Sequence, residues 1–207
     1  MENRLKSFIG TRPNVKRVIH YLMMHPVKMR PRLWLRLFSF FYIKRGHGSV
    51  IYRNSRLDIT PFNRLTIGKR SVIESYCVIN NAVGDLCIGD DTRIGIGSVL
   101  IGPVTIGNKV MIAQNVTISG LNHNYSDTTT PIADQGVSLG TIEISDDVWI
   151  GANCVITQGV KIGKHVVVAA SSVVTGDIPD NCVVGGIPAK ILKQYITDEG
   201  YWKRIQE

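Results

Sequence analysis

The segment "IEISDDVWIGANCVITQGVKIG" (Ile142–Gly163) decides the fold. Within it Ile144, Ile150, Ile156 and Ile162 stand six residues apart, and Gly151 and Gly163 each follow directly on one of them. A period of six matches neither the 3.6-residue turn of an α-helix nor the two-residue alternation of a long strand. It matches a unit of one short strand and one tight corner, and a chain that repeats such a unit must coil. Downstream the spacing continues to Val168 and Val174; upstream it returns at Ile88, Ile94, Leu100, Ile106, Ile112 and Ile118, and before that at Ile67, Ile73 and Ile79. Glycine also follows at 68, 89, 95 and 107, and alanine at 113 and 169. We expect glycine there because a corner needs backbone free of Cβ restrictions. Four places after the aliphatic comes a small or β-branched residue, such as Ser71, Thr92, Ser98, Val110, Val148 or Ser172.

Three such units close a triangular coil with the aliphatic side chains inward. Coils stack through parallel backbone hydrogen bonds about 4.8 Å apart, so five coils make a prism about 24 Å tall. Each coil buries its apolar layer only against its neighbours, which defines a β-solenoid. Periodicity leaves the hand of the coil open. The phase slips by three residues between Ile79 and Ile88, and by two across the 25 residues between Ile118 and Ile144. Insertions in solenoids become loops on one face, often the binding face. The second slip therefore predicts an extruded loop over 119–143, with His123 in "LNHNY" (Leu121–Tyr125) at its base.

The formal charge of +8 is unevenly placed. Residues 1–56 carry 13 Lys/Arg and one acidic residue, Glu2, whereas residues 57–207 carry 11 basic and 15 acidic residues. The chain therefore divides into a basic, partly helical arm over 1–56, a solenoid domain over 57–187 and an extension over 188–207 that we expect to hold a short helix. In the arm, "RPRLWLRLFSFFYIKRG" (Arg30–Gly46) mixes arginines with large apolar side chains. It suits a cap on the open end of the prism, the favoured reading, and also a basic surface against an anionic membrane. Nucleic-acid binding is not expected, since no recognised module accompanies the charge. The longest apolar run, Leu33–Ile43, is 11 residues with Arg36 inside it, about half of what a membrane-spanning helix needs. The polar start Met1–Lys6 does not resemble a signal peptide. Cys77, Cys87, Cys154 and Cys182 form no CxxC pair, and Cys77 and Cys154 occupy small inward positions. Both points suit a reducing, cytoplasmic setting.

The blocks "VTIGNKVMIAQNVTIS" (Val104–Ser119), Ile142–Gly163 and "VVTGDIPDNCVVGGIPAKILK" (Val173–Lys193), with the histidine-bearing loop between the first two, resemble the hexapeptide-repeat acyltransferases. The likeness covers roughly residues 65–193 and is greatest to maltose/galactoside and xenobiotic O-acetyltransferases and their relatives in exopolysaccharide synthesis. It implies a left-handed parallel β-helix, a homotrimer, and acetyl-CoA bound in clefts between protomers without a metal. Matched position by position, it implies that His123 is the catalytic base and that Trp149 lines the pantetheine and acceptor region. It places the backbone of Ala152 and Ala170 along the thioester and pantetheine, Thr175 near the adenine and Lys193 near the nucleotide phosphates; Lys190, close by in sequence, is a further candidate for those phosphates, and Gly151 beside Ala152 a further backbone contact. Gly176 stands where many relatives carry a lysine, and "IGIGSVLIG" (Ile94–Gly102) lacks the asparagine with which several sugar acetyltransferases hold the acceptor.

Those residue types suit acyl transfer to a hydroxyl. An imidazole, with an ordinary pKa of about 6.5, is largely neutral near pH 7 and accepts the proton of an attacking oxygen. A backbone N–H near Gly151–Ala152 would meet the oxyanion. The expected activity is acetyl-CoA-dependent O-acetylation of a saccharide or similar small acceptor, with N-acetylation of an amino sugar left open. A zinc or iron hydrase on the same solenoid would need three histidines; the repeat region offers His123 and His165.

Overall fold

A computed structural model of the chain describes residues 18, 19, 21–25 and 30–205. From Ile43 the chain is divided into strands of two or three residues, as a six-residue unit requires. The first coil is β1 (Ile43–Arg45), β2 (Val50–Ile51) and β3 (Arg56–Asp58); the second is β4 (Leu65–Ile67), β5 (Val72–Ile73) and β6 (Val78–Asn80). The third is β7 (Leu86–Ile88), β8 (Arg93–Ile94) and β9 (Val99–Ile101), and the fourth is β10 (Val104–Ile106), β11 (Met111–Ile112) and β12 (Thr117–Ser119). A hairpin, β13 (Leu121–His123) and β14 (Val137–Leu139), then interrupts the winding. The fifth coil is β15 (Ile142–Ile144), β16 (Trp149–Ile150) and β17 (Val155–Ile156); the sixth is β18 (Lys161–Ile162), β19 (Val167–Val168) and β20 (Val173–Val174).

Every third strand falls in the same parallel sheet, giving three faces. The first is β1-β4-β7-β10-β15-β18 and the third is β3-β6-β9-β12-β17-β20. The second runs from β2 through β5, β8, β11, β16 and β19 to β21 (Cys182–Gly186), and then turns antiparallel through β22 (Ala189–Ile196) and β23 (Tyr201–Arg204). All the six-spaced aliphatics from Ile67 to Val174 are no more than 4% exposed. Each contributes roughly 1.5–3 kcal/mol by leaving water. Except at the two phase slips (Val83 and Asn122), the residue four places on is buried too, and where it is a hydroxyl it links coils. The Ser71 hydroxyl donates to the Gly89 carbonyl at 2.6 Å and accepts the Thr92 N–H at 3.0 Å; the Thr92 hydroxyl repeats this with Gly107 (2.8 Å) and Val110 (3.1 Å).

The glycines have a different cause from the one expected. Left-handed backbone occurs three residues after the aliphatic, at Arg70, Asp91, Lys109, Asp147, His165 and their equivalents, and these are mostly not glycine. The glycine directly after the aliphatic is required by the approach of the next coil. A Cβ on Gly151 would lie 2.6 Å from the Ala170 nitrogen, and one on Gly95 would lie 2.6 Å from the Ala113 carbonyl.

Two boundaries move. The prism begins at Ile43 rather than 57 and has six coils rather than five, because β1 to β3 pair in parallel with β4 to β6. That coil lacks the sequence signal because Arg45 stands opposite Ile67 and only one neighbouring coil covers it. The expected C-terminal helix is absent: residues 189–196 and 201–204 are strands. The last coil leaves β21 with an unpaired edge, and β22 satisfies it, as buried backbone groups demand.

Residues 33–37 form a short helix, α1 (Leu33–Leu37), that caps the first coil. Leu35 is buried, the Tyr42 hydroxyl donates to its carbonyl at 2.6 Å, and α1 borders a groove of about 250 Å³ with Ser55, Leu57 and Ile59. Asp58, only 2% exposed, is held between Arg30 (3.1 Å) and Arg56 (2.6 Å) and ties the arm to the coil.

Candidate functional site

The irregularities of the repeat collect at one edge of the prism. Thr60–Arg64, Asn81–Asp85 and the insertion after Ser119 all lie where the chain passes from the third face back to the first. Asn81 builds this corner from within: fully buried, it accepts the Thr60 N–H at 2.7 Å and donates to the Asn63 carbonyl at 2.7 Å. The largest insertion is an antiparallel hairpin, with His123 opposite Val137. Its foot is fixed by Gly120 N–H to Ile101 O and Gly140 N–H to Gly120 O, both 2.9 Å.

Beyond His123 the loop is organised by polar contacts. Gln135 donates to the carbonyls of Asp127 (2.7 Å) and Thr130 (2.8 Å) and accepts the Asp127 N–H (3.1 Å). The Asn124 amide donates to the Gln135 carbonyl at 3.2 Å. The Asp127 carboxylate accepts the Thr129 hydroxyl, the Thr130 hydroxyl and the Thr129 N–H. Those bonds favour its charged form and hold its pKa down at about 2. His123 is exposed on this hairpin.

The other candidate residues lie elsewhere on the chain. Trp149 projects from the second face, half-exposed, and that face is opposite the hairpin corner. Ala152 and Ala170 stack at the corner between the second and third faces, where the Ser171 N–H meets the Ala152 carbonyl at 2.8 Å. Thr175 follows β20, exposed, at the hairpin's corner. Lys190 lies opposite Gly185 on the terminal strands. One chain therefore does not bring His123 to Trp149. The Gly151 N–H donates to Val168 O at 2.8 Å, so it is committed to the ladder and leaves Ala152 as the oxyanion-donor candidate of the pair. The two repeat-region histidines lie at different corners of one chain; among its described residues no group of three or more metal-ligating side chains occurs.

Register shows a relation that residue-by-residue reading missed. Trp149 pairs with Val167, Val167 with Val183, and Val183 with Lys193. They form one column on the second face, with Trp149 at one end and Lys193 at the other and their backbones about 14 Å apart at three strand spacings. An elongated molecule with an apolar reactive end and a phosphorylated end fits such a column. Beside it, at the corner between the first and second faces, is a cleft of about 520 Å³ lined by Asp147, Lys164, His165, Asn181, Tyr195 and Trp202. His165 sits 2.6 Å from the Asp147 carboxylate and against the Trp202 ring. The pairing was legible in principle, because Asp147 and His165 are 18 residues apart, one full coil.

Stacked parallel coils of six-residue units, interrupted by one hairpin, define a β-solenoid of hexapeptide repeats. The pattern for bacterial transferase hexapeptide repeats matches residues 88–120 and 141–176. A hexapeptide-repeat acetyltransferase of Vibrio cholerae is 27% identical over 93% of this chain and 92% of that one, with a TM-score of 0.51. In its structure with acetyl coenzyme A the matched part is 33% identical, covering 72% and 71% of the two chains (TM-score 0.49). An Escherichia coli protein named as a lipopolysaccharide-biosynthesis O-acetyl transferase is 38% identical over 111 residues, 50% of this chain and 57% of that one. An N-acyltransferase of Bacillus cereus, solved with coenzyme A and a dTDP-amino sugar, shares the fold: TM-score 0.66, 22% identity, 79% of this chain and 89% of that one. The chain belongs to the bacterial hexapeptide-repeat transferase family, and its prism is a left-handed parallel β-helix. It spans about half the length of the curated relatives it matches (57%, 48% and 44%).

Proposed function

We propose that the protein is an acetyl-CoA-dependent O-acetyltransferase that acts, as a cytoplasmic homotrimer, on a hydroxyl of a saccharide or similar small acceptor. The observation that carries this reading is the column from Trp149 to Lys193 on a face opposite the His123 corner. Such a separation makes sense when the donor lies on one protomer and the base comes from its neighbour. The outer faces support that assembly. The second face carries Val72, Met111, Trp149 and Val167 outward around Arg93, and the third carries Val78, Val99, Val155 and Val173 around Thr117, whereas the first is more polar, with Glu143 and Lys161 paired at 3.3 Å. Packing second face on third about their shared corner would bring the hairpin of one protomer beside the Trp149 strand of the next.

In that arrangement the thioester would lie along Ala152 and Ala170 and the phosphates against Lys193 and Lys190, while Thr175, at the hairpin's corner, would meet the adenine from the neighbouring protomer as His123 meets the thioester. The imidazole of His123 takes the hydroxyl proton as that oxygen attacks the carbonyl carbon. The C–S bond then breaks, and the thiol is the leaving group. No acyl-enzyme is needed, which agrees with the burial of Cys77, Cys154 and Cys182, whose thiols burial pushes above their ordinary pKa.

Calorimetry with acetyl-CoA on the wild type, Trp149→Ala and Lys193→Gln, with ATP and desulfo-CoA as controls, tests the donor column. Both substitutions should weaken binding; unchanged affinity in both would remove the column from the proposal. Hydroxyl and amino sugars are then compared as acceptors, and preference for the amine would convert the reading to N-acetylation.

A further inference from the structure

We propose that the end of the prism capped by the arm is a docking surface for an anionic lipid bilayer. The cap has two sides. Leu35 faces inward and is buried, while Leu33, Trp34, Leu37, Phe38, Phe40 and Phe41 face outward and are exposed. Phe40 and Phe41 are 66% and 75% exposed, yet their rings lie 4.1 Å apart, and Phe38 adds a third ring 6.2 Å from Phe41. Single exposed apolar residues are ordinary, but a contiguous aromatic cluster in water marks a surface that something covers. The cluster is held in place by the Tyr42 hydroxyl bond to Leu35 and by the Arg30–Asp58–Arg56 bridge, so little ordering is needed when it docks.

Charge selects the occupant. Residues 30–56 hold seven Lys/Arg and no Asp or Glu, and the full arm is more basic still. Two copies of the chain meeting through this end would oppose like charges, whereas an anionic leaflet is complementary. Aromatic side chains favour the headgroup level of a bilayer, and each basic residue near an anionic surface contributes about 1 kcal/mol, or about fivefold in binding. Among the described residues no helix is long and apolar enough to cross a membrane, so the contact is a surface one.

The test is sedimentation of the full chain with vesicles of phosphatidylcholine alone and of an equimolar mixture with phosphatidylglycerol. Wild type should bind the mixed vesicles about tenfold more than the neutral ones, and salt should weaken that binding. Phe40→Ser with Phe41→Ser should lower it about tenfold or more, and Arg36→Gln with Lys44→Gln should reduce the preference for the anionic lipid. Both pairs are exposed, and a thermal melt matching wild type confirms that each variant folds. Equal binding to both vesicle types, or binding indifferent to the phenylalanines, would overturn the proposal. So would a lack of vesicle binding together with a fall in oligomer mass in the Phe40/Phe41 variant, which would give the patch to a second copy instead. None of these outcomes depends on the acetyltransferase reading.

Discussion

The prism and the hairpin that leaves its corner are built on opposite principles. In the prism one arrangement recurs: an aliphatic side chain fills the layer, a glycine admits the next coil, and a small residue or hydroxyl closes the corner. In the hairpin nothing recurs. Tyr125, Ile132, Val137 and Leu139 are all exposed, and its order comes from a few polar contacts centred on Gln135 and Asp127. Burial in a stack is cooperative, because each layer covers two others. Local polar contacts are separable, and a segment held by them can be loosened without unfolding the rest. The chain thus places a mobile-capable histidine on a rigid frame.

The largest effect that could break this contrast is at His123. Replacement by Ala should lower acetyl transfer about 10²–10⁴-fold while leaving the melting temperature and acetyl-CoA affinity unchanged, because the side chain is exposed on the hairpin. A matching loss of stability would mean that hairpin and prism are one unit after all. The counterpart in the prism is Ile150→Ala, at a fully buried site between Ile112 and Val168. Chemical denaturation should show a loss of about 2–5 kcal/mol. A smaller effect, about 1–3 kcal/mol, is expected of Gly151→Ala, whose added Cβ meets the Ala170 backbone. If Gly151→Ala were neutral, the coils could separate freely and the steric account of the glycines would fail.

The same contrast governs what the sequence disclosed. Prism layers were legible because one physical requirement repeats at each coil, and Ile144, Ile150 and Ile156 state it in the open. The first coil escaped because it is terminal: Arg45 faces water where its equivalent Ile67 is covered. The terminal strands escaped because their reason is the edge that β19 and β21 leave, a tertiary fact. At the candidate site the phase break pointed to His123, yet the Trp149–Lys193 column appears only when strands are laid in register. The Asp147–His165 pair needed the coil length, not the residue types.

Within the hairpin, Gln135→Ala removes three contacts at the loop's centre. About 0.5–1.5 kcal/mol per bond is at stake, and only locally. Amide exchange at Asn124, Asp127 and Thr129 should quicken, with the prism amides and the melting temperature unmoved. If His123 is positioned through this network, the turnover rate should fall more than the affinity for acetyl-CoA.

The subtlest separation is by acid. Because hydrogen bonds from Thr129 and Thr130 lower the Asp127 pKa to about 2 from an ordinary 3.8, its folded pKa lies below its unfolded one. The support it gives the loop is therefore fully present above about pH 4 and is lost as pH falls through about 2. A carboxyl carbon titration followed by NMR should place its midpoint near 2 in the wild type. Replacing both threonines by valine should return it towards 3.8, because the two hydroxyl donors are gone and chiefly the Thr129 N–H remains. A wild-type midpoint at the ordinary value would show that the threonine clasp does not persist in solution. His123 would then stand on a loop ordered only at its foot, by the Gly120 and Gly140 bonds to the prism.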